Sequence, residues 1–458
     1  MRRPSLLLAT IPLLALSHDT QGETQDAARN WPAWRGPSGD GTSTASGLPT
    51  EWGPEKNVLW KTALPSWSGA TPVVWGERVF VMSPSAAAAD DGGAEEPEDR
   101  GSGRRGGRGG GRHPGGDELL LLCLDATSGK LLWTRELDAG NRLWRKGNNT
   151  SPSPVTDGER VWALTGNGTL AALDLDGELF WDRNLQAEFG AFGLNWGYAS
   201  SPLLVDGMLV VQVLHGTNTD EPSYLIAVDG ATGATLWKVE RPTDAPRESP
   251  DAYTTPLLAG SGDAVQIVVS GGDYVTGHDP KTGKELWRVA GLNPRKASNY
   301  RIVASPILID DLLVAPTRER PMLAIALGED LAPTAEDVVW QWDRNGAPDV
   351  PSPTTDGTYL YLLDDAGLVT CVDPASGEPV WGPERTVQGT VSSSLVHADG
   401  KLYFTNEEGV TVVLRAGPRY ELLAANELDG SYTISSPAVA GNRLFVRTEE
   451  FLWCIGAK

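Results

Sequence analysis

A repeated motif limits the fold of this chain more than any other feature. Eight copies follow one another through 458 residues, about 40–56 residues apart except for one long insertion. Each copy opens with Ser/Thr-Pro before an apolar stretch, and each closes with a stretch ending in Trp. The openings are Thr71-Pro72, Ser153-Pro154, Ser201-Pro202, Thr255-Pro256, Ser305-Pro306, Ser352-Pro353, Ser393-Ser394 (without the proline) and Ser436-Pro437. The closings are Trp60, Trp133, Trp181, Trp237, Trp287, Trp340 and Trp381, with Leu422 or Leu423 in the eighth place.

Each copy predicts four short strands. In the second copy they are Pro154–Thr156, Arg160–Leu164, Thr169–Leu173 and Leu179–Arg183. The 53 glycines and 33 prolines suit many tight turns, and no useful length shows helical periodicity. Four-stranded units at this period predict an all-β protein, an eight-bladed β-propeller of four-stranded blades.

The two ends of the repeat predict how the ring closes. The last copy stops at its third strand, Phe451–Ile455, whereas the strand Val58–Leu64 with Trp60 follows no complete copy. We therefore expect the N-terminal strand to complete the eighth blade, which removes an exposed sheet edge. An open β-solenoid would not need this exchange.

The repeated positions also predict packing roles. A Trp at one position of every copy is expected to pack between neighbouring blades, because a buried indole contributes a large apolar area. Cys123, Cys371 and Cys454 occupy the position held by Ala172 and Ala227 in other copies. We expect three separate buried thiols and no disulfide, because a bridge needs Cα atoms within about 7 Å.

The termini and the insertion define the predicted organisation. Residues 1–22, with Arg2, Arg3 and the apolar run Leu6–Leu16, resemble a secretory signal, which predicts a periplasmic or secreted protein. Residues 23–56 are expected to form an extended segment packed on the outside of a propeller spanning 57–458. The insertion at 84–117 is rich in Ala, acidic residues and then Arg-Gly, and it is expected to be a disordered spacer. A lesser hypothesis gives it a role in capturing an acidic partner.

The net charge and the pattern of apolar residues limit the classes of partner that the protein can bind. The net charge of −22 argues against a nucleic-acid partner, because phosphates attract basic surfaces. No later stretch is apolar and long enough for a transmembrane helix. No cysteine precedes Cys123, so we expect no lipid anchor. A protein or peptide partner fits these observations.

The closing segments carry a family resemblance. They read CLDATSGKLLW (123–133), AVDGATGATLW (227–237), GHDPKTGKELW (277–287) and CVDPASGEPVW (371–381). This resembles the tryptophan-docking repeat of quinoprotein-type propellers, and the chain looks most like the pyrroloquinoline-quinone (PQQ)-repeat or BamB-like proteins. The opening WPAWRGP (31–37) and the closing LWCIG (452–456) resemble exported members from planctomycete-type bacteria.

The resemblance implies two kinds of function. BamB-like proteins are scaffolds of outer-membrane protein assembly, and BamB itself is a lipoprotein. A quinoprotein dehydrogenase would instead need Glu, Asn and Asp ligands for calcium, a base carboxylate, an Arg near the quinone and often two adjacent cysteines. This chain has no Cys-Cys pair and no ligand set that maps residue by residue, so we expect no cofactor and no metal. PQQ with calcium stays an alternative. The five histidines, His18, His113, His215, His278 and His397, show no metal spacing.

Propeller topology predicts where a site would lie. The loops between consecutive blades and the loops between second and third strands share one face, around the mouth of the central funnel. Aromatic and Arg residues, which are enriched where proteins bind partners, are common there. The candidates are Arg145, Asn149, Trp196, Tyr198, Tyr253, Tyr300, Arg301 and Tyr432. They also fit loops folding onto the propeller.

Three functions remain open from the sequence. The first is an exported scaffold or binding protein that presents this face to a protein or peptide. The second is a PQQ- and calcium-dependent alcohol or sugar dehydrogenase, and the third is a carbohydrate- or ligand-binding module. Convergent carboxylates in the funnel would favour the enzyme, and a surface of aromatic and Arg side chains would favour the scaffold.

Overall fold

Short apolar runs separated by tight turns pair with their sequence neighbours, so each repeat forms one antiparallel sheet. The computed structural model describes residues 28–88 and 113–457. Eight such sheets form the blades of a β-propeller, which confirms the predicted fold. The proposed signal at 1–22 and most of the 84–117 insertion lie outside the described residues.

Each blade has four strands, given from the axis outwards. Blade 1 consists of Val73–Trp75, Arg78–Pro84, Glu118–Asp125 and Leu131–Ala139, and blade 2 of Val155–Thr156, Arg160–Leu164, Thr169–Asp174 and Leu179–Asn184. Blade 3 consists of Leu203–Val205, Met208–Val213, Tyr224–Asp229 and Thr235–Glu240, and blade 4 of Leu257–Ala259, Gln266–Gly271, Tyr274–His278 and Glu285–Ala290. Blade 5 consists of Ile307–Ile309, Leu312–Ala315, Met322–Ala326 and Val338–Trp342, and blade 6 of Thr354–Thr355, Leu360–Leu363, Leu368–Val372 and Pro379–Arg385. Blade 7 consists of Val396–Ala398, Lys401–Thr405, Val410–Arg415 and Leu422–Glu427, and blade 8 of Ala438–Ala440, Arg443–Arg447, Phe451–Gly456 and Val58–Ala63.

Few elements lie outside the blades. A two-stranded hairpin, Leu143–Trp144 with Gly147–Asn148, follows blade 1, and Thr42–Ser43 adds a short strand to blade 7. The one-turn helix Leu185–Phe189 and two 3₁₀ turns, Gly262–Ala264 and Ala335–Asp337, lie in connections.

The ring closes as the sequence predicts. The N-terminal strand Val58–Ala63 pairs antiparallel with Phe451–Gly456, and Trp60 lies opposite Cys454. Blade 8 is therefore built from both parts of the chain, and the outer edge of Phe451–Gly456 is paired.

The Ser/Thr openings form a ring of hydrogen bonds around the axis. The backbone N–H of Thr255 donates to Ser305 Oγ at 2.9 Å, and the N–H of Ser305 donates to Ser352 Oγ at 2.9 Å. Equivalent bonds join Thr71 to Ser153, Ser153 to Ser201, Ser201 to Thr255, Ser352 to Ser394, and Ser394 to Ser436. Each bond links one blade to the next.

Two details of this ring differ from the sequence prediction. In blade 7 the linking hydroxyl belongs to Ser394, so the opening is Ser394-Leu395 and the predicted Ser393-Ser394 pairing was off by one residue. At the seam between blades 8 and 1 the bond comes from Ser435 Oγ to Ala70 O, at 2.8 Å. Thr71 Oγ1 is buried there without a hydrogen-bond partner among the described residues.

The tryptophans join blades at the outer rim. Trp133 Nε1 donates to Leu175 O of blade 2 at 3.0 Å, and Trp181 Nε1 donates to Gly230 O of blade 3 at 3.1 Å. Trp60, Trp237, Trp340 and Trp381 bond to the following blade in the same way. Trp287 instead bonds to Gln266 of its own blade, since blade 5 has a longer connection at that place.

The cysteines lie opposite these tryptophans. Cys123 pairs with Trp133 and Cys371 with Trp381 in the strand register. All three cysteines of the chain are among the described residues, and each is buried and free. In blade 7 the position opposite Val413 holds Ala424, so neither Leu422 nor Leu423 takes the Trp place as predicted.

The N-terminal segment does not pack on the outside, which corrects the sequence prediction. Trp31 is fully buried and exchanges two backbone hydrogen bonds with Val74, in the innermost strand of blade 1. The Pro32 carbonyl accepts from Thr156 N of blade 2, and the Asp40 carbonyl accepts from Thr354 Oγ1 of blade 6. Blades 2 and 6 are opposite in a ring of eight, so the segment crosses the axis between these contacts.

Arg35 holds this crossing in place. Its buried guanidinium donates to the carbonyl oxygens of Leu395, Asp40 and Pro353. The chain then runs under blade 7, where Leu48 N donates to Asp399 and Trp52 N to Asn426. Residues 28–48 thus close the axial channel from the side of the turns between first and second strands; we call them the axial plug.

Candidate functional site

A cavity of about 600 Å³ lies on the axis, above the axial plug. Residues from all eight blades line it, from Gly69 ahead of blade 1 to Ser436 at the start of blade 8. Its volume lies within the range of roughly 300–1,000 Å³ typical of small-ligand sites. Its walls are connections between blades and loops between second and third strands, which together we call the loop face. This is the face on which the sequence analysis places its candidate residues.

Trp34 of the axial plug lines the bottom of the cavity. Its neighbour Arg35 is fixed by three carbonyl oxygens, two of them from blades 6 and 7. On the other side of the axis the Pro32 carbonyl accepts from Thr156 N of blade 2, so the backbone that carries Trp34 is held from both sides. Because the plug lies across the channel below Trp34, the cavity opens towards the loop face among the described residues.

The hairpin at residues 143–148 reaches across the mouth of the cavity. Trp144 Nε1 donates to Asn149 Oδ1 at 2.7 Å, and the Trp144 ring lies against Gly197, where a Cβ atom would come within 2.4 Å of it. At the tip, Arg145 adopts φ +53° and Lys146 forms an ion pair with Glu407 of blade 7 at 2.7 Å. The tip thus connects blade 3 with blade 7 over the axis.

Trp196 is the centre of a cluster in the cavity wall. Its Nε1 donates to Glu248 Oε1 at 2.6 Å, and its backbone N–H donates to Tyr253 Oη at 2.9 Å. The guanidinium carbons of Arg145 and Arg301 lie 4.5 Å and 5.6 Å from the ring centroid, within cation–π range. The cluster therefore places two arginines on one indole.

The carboxylates of the wall, and the neighbouring Asp349, lie next to cations or to each other. Arg318 pairs with Asp349 at 3.2 Å, while Arg301 approaches Glu248 at 3.8 Å and Asp349 at 4.0 Å. Burial, followed by repulsion from Asp349, raises the pKa of Asp365 to about 6. Among the residues that line the cavity, four are cationic (Arg145, Lys146, Arg301, Arg318) and two are acidic (Glu248, Asp365).

Four of the eight candidate residues line this cavity: Arg145, Trp196, Tyr253 and Arg301. The other four face the protein interior. Asn149 binds Trp144 and Asn167, Tyr198 Oη donates to Gln212 O, and Tyr300 is hydrogen-bonded to Thr317. Tyr432 is buried edge-on against Trp67.

Several wall residues were not among the candidates. Arg318 and Asp365 lie between second and third strands of blades 5 and 6, so the rule that these loops share the face with the inter-blade connections would have found them. Lys146 adjoins the candidate Arg145. Trp34 had no such signal, because its place depends on the axial plug.

The described ends of the insertion reach the loop face. The His113 carbonyl accepts from Trp67 Nε1 at 2.8 Å, and the Pro114 carbonyl accepts from Asn141 Nδ2 and Asn148 Nδ2. The insertion therefore leaves the propeller beside the 143–148 hairpin.

The described residues of the wall form no cluster of acidic ligands for a calcium ion. Such an ion needs many oxygen ligands, six to eight for calcium. Within the described residues no group of three or more His, Cys, Asp or Glu side chains is arranged to hold a metal. Glu248 and Asp349 each lie beside a guanidinium, which occupies the place a cation would take.

Comparison with known proteins agrees with this fold. The family model described as outer membrane protein assembly factor BamB matches residues 117–331 and 329–450. The chain belongs to this BamB family. BamB of Shewanella oneidensis is 22% identical over 70% of this chain and 76% of its own length, and BamB of Burkholderia pseudomallei is 23% identical over 68% and 75%.

Solved structures show the same fold at low identity. A europium-containing methanol dehydrogenase aligns with TM-score 0.66 and 14% identity, over 95% of this chain and 92% of its own. BamB from Moraxella catarrhalis aligns with TM-score 0.54 and 14% identity, over 75% of this chain and 95% of its own. A quinohemoprotein alcohol dehydrogenase from Comamonas testosteroni aligns with TM-score 0.60 and 13% identity, over 96% and 83%. At these identities the likeness concerns the fold alone.

No helix in residues 28–88 and 113–457 is long and apolar enough to cross a membrane.

Proposed function

We propose that this BamB-family propeller is an exported binding protein that presents its loop face to a protein or peptide partner. The observation that carries the proposal is the composition of the cavity wall, where Trp34, Trp144, Trp196 and Tyr253 alternate with arginines. Aromatic and Arg side chains are the residues that contribute most to protein recognition. The proposed place of action is the periplasm or the cell exterior, in line with the signal-like residues 1–22.

The relatives give the proposal a partner class. Their names place them in outer membrane protein assembly. By analogy, the partner proposed here is an unfolded polypeptide on its way to a membrane, held in an open cavity. The dehydrogenase alternative lacks a supporting ligand set among the described residues, where no group of three or more His, Cys, Asp or Glu side chains is arranged to hold a metal.

The test is a binding titration with a urea-unfolded outer-membrane β-barrel polypeptide, diluted into buffer and followed by calorimetry. We expect saturable binding that Trp196→Ala weakens about tenfold or more, as expected for a central aromatic anchor. Phe180→Ala is the matched control, because Phe180 is 53% exposed on the outermost strand of blade 2. The thermal midpoint of each variant shows whether it is folded.

Two results would overturn the proposal. One is a folded protein that binds no unfolded polypeptide. The other is saturable binding of PQQ with calcium accompanied by dye-linked alcohol oxidation, which would make the cavity a dehydrogenase site.

A further inference from the structure

We propose that the axial cavity captures the carboxyl-terminal end of a polypeptide, with Arg145 and Arg301 binding its free carboxylate. This inference rests on the proposed function and names the part of the partner that enters the cavity.

The shape of the cavity selects a chain end. The axial plug crosses from blade 2 to blade 6 and carries Trp34 at the bottom of the cavity, so a chain can enter from the loop face but cannot pass through. The 143–148 hairpin spans part of the mouth, held by Lys146 to Glu407 and Ser392. A cavity with one partly covered mouth is suited to a terminus rather than to the middle of a chain.

The unused hydrogen-bond donors of the wall arginines favour the carboxyl end of a chain over its amino end. A guanidinium has five N–H donors. Three fully buried arginines, Arg35, Arg241 and Arg447, donate to two or more acceptors each. Within the part of the chain that the structure describes, Arg145 and Arg301 donate no hydrogen bond, although Arg301 is only 18% exposed. The donors of Arg145 are therefore available to a ligand. Those of Arg301 lie 3.8 Å from Glu248 and 4.0 Å from Asp349 without a hydrogen bond to either, so they too can bind a ligand.

Charge supports the same choice. Four of the lining residues are cationic and two are acidic. Lys146 is paired with Glu407, which lies outside the lining, whereas Arg145 has no carboxylate partner among the described residues. Asp349 is paired with Arg318, and Glu248 accepts the Trp196 indole N–H. An arginine binds a carboxylate with two parallel charge-assisted bonds, and its stacking on Trp196 fixes the plane of its donors. A chain's amino terminus would meet these same arginines as like charges.

The experiment uses a mixed library of acetylated tetrapeptides with free carboxylates and the same library as C-terminal amides. Each is incubated with the full-length protein, and the peptides retained after size-exclusion chromatography are quantified by mass spectrometry. We expect retention of free-carboxylate peptides, and at least tenfold less retention of the amides. Arg145→Gln and Arg301→Gln should each reduce retention about tenfold or more, the effect of losing a charge-assisted hydrogen bond.

Arg344→Gln is the matched control, because Arg344 pairs with Glu378 away from the cavity, and it should retain the wild-type level. Arg145 is exposed at a hairpin tip, so its substitution tests the inference even if Arg301→Gln folds poorly. Equal retention of acids and amides, or unchanged retention in Arg145→Gln, would overturn end capture.

The two proposals fail differently. If neither library is retained while the unfolded polypeptide still binds, end capture is wrong and the loop-face function stands. If the unfolded polypeptide also fails to bind, both proposals fall.

Discussion

The indole of Trp133 lies directly against Gly177 of the next blade. A Cβ atom on Gly177 would come within 2.8 Å of Trp133 Cδ2, closer than carbon atoms pack, and Gly177 has φ +90°. The same pairing joins Trp60 with Gly129, Trp181 with Gly233, Trp237 with Gly283, and Trp340 with Gly377. The Gly of these five turns is thus the surface on which the previous blade's Trp packs.

The first prediction separates this contact from backbone strain. Gly177→Ala should lower the free energy of unfolding by about 1–3 kcal/mol more than Gly207→Ala, because overpacking displaces the indole. Gly207 has φ +75° but open space around a Cβ atom. Gly207→Ala therefore measures the loss of stability that backbone strain alone causes. Thermal and urea denaturation under identical conditions measure both. Equal losses would show that the Trp contact does not restrict the turn.

The second prediction concerns the hydroxyl ring. Ser305→Ala should lower the free energy of unfolding by about 1–3 kcal/mol, because the buried N–H of Thr255 loses its acceptor. Ser305→Thr is the control, since threonine takes the equivalent position at Thr255 and keeps the hydroxyl. Denaturation curves compare the two. If Ser305→Thr loses as much stability as Ser305→Ala, the hydroxyl is not the stabilising group.

The third prediction is a pH dependence. Burial raises the pKa of Asp365 from 3.8 to about 6, so the folded protein binds this proton more tightly than the unfolded chain. The contribution of Asp365 to stability is present below about pH 4 and is lost as the pH rises through about 6, on the order of 3 kcal/mol.

Asp365→Asn should remove this loss and make the protein more stable than wild type at pH 8. The amide oxygen can still accept the Val350 N–H that Asp365 Oδ1 accepts at 3.0 Å. Urea denaturation at pH 4, 6 and 8 measures how the free energy of unfolding changes with pH. Asp343→Asn is the control, because Asp343 is exposed. A variant less stable than wild type at pH 8 would contradict the assignment.

The fourth prediction concerns the thiols. Burial raises the pKa of Cys123, Cys371 and Cys454 to about 12, so little reactive thiolate exists in the folded protein. Ellman's reagent at pH 8 should label no thiol in the native state, and three per chain after unfolding without reductant. A count of one in the unfolded sample would reveal a disulfide.

Much of the fold could be predicted because the same pattern of strands occurs in eight copies of the repeat. Strand Arg160–Leu164 was predicted with its observed limits, and the pairing of Val58–Ala63 with Phe451–Gly456 followed from a missing strand. A position that recurs in every copy has one structural role, so Trp133 and Cys123 could be placed from the pattern alone.

The site was less predictable because its residues do not recur. Tyr198 and Trp196 lie two residues apart in one connection, yet Tyr198 is buried against the Gln212 carbonyl while Trp196 lines the cavity. Both are aromatic residues in a loop, and only the three-dimensional path of the loop separates them. The axial plug has no counterpart in any blade, so no comparison between copies could locate Trp34.

The plug also sets the order in which the molecule can be completed. Residues 28–48 bind blades 1, 2, 6 and 7, and Val58–Ala63 requires Phe451–Gly456 as its partner. A chain made from its amino end offers these sites only after nearly all of its length exists. Loop closure of this span is slow compared with pairing within a blade. The amino-terminal residues must therefore wait for the carboxyl-terminal blade, and the ring closes at the seam where the two meet.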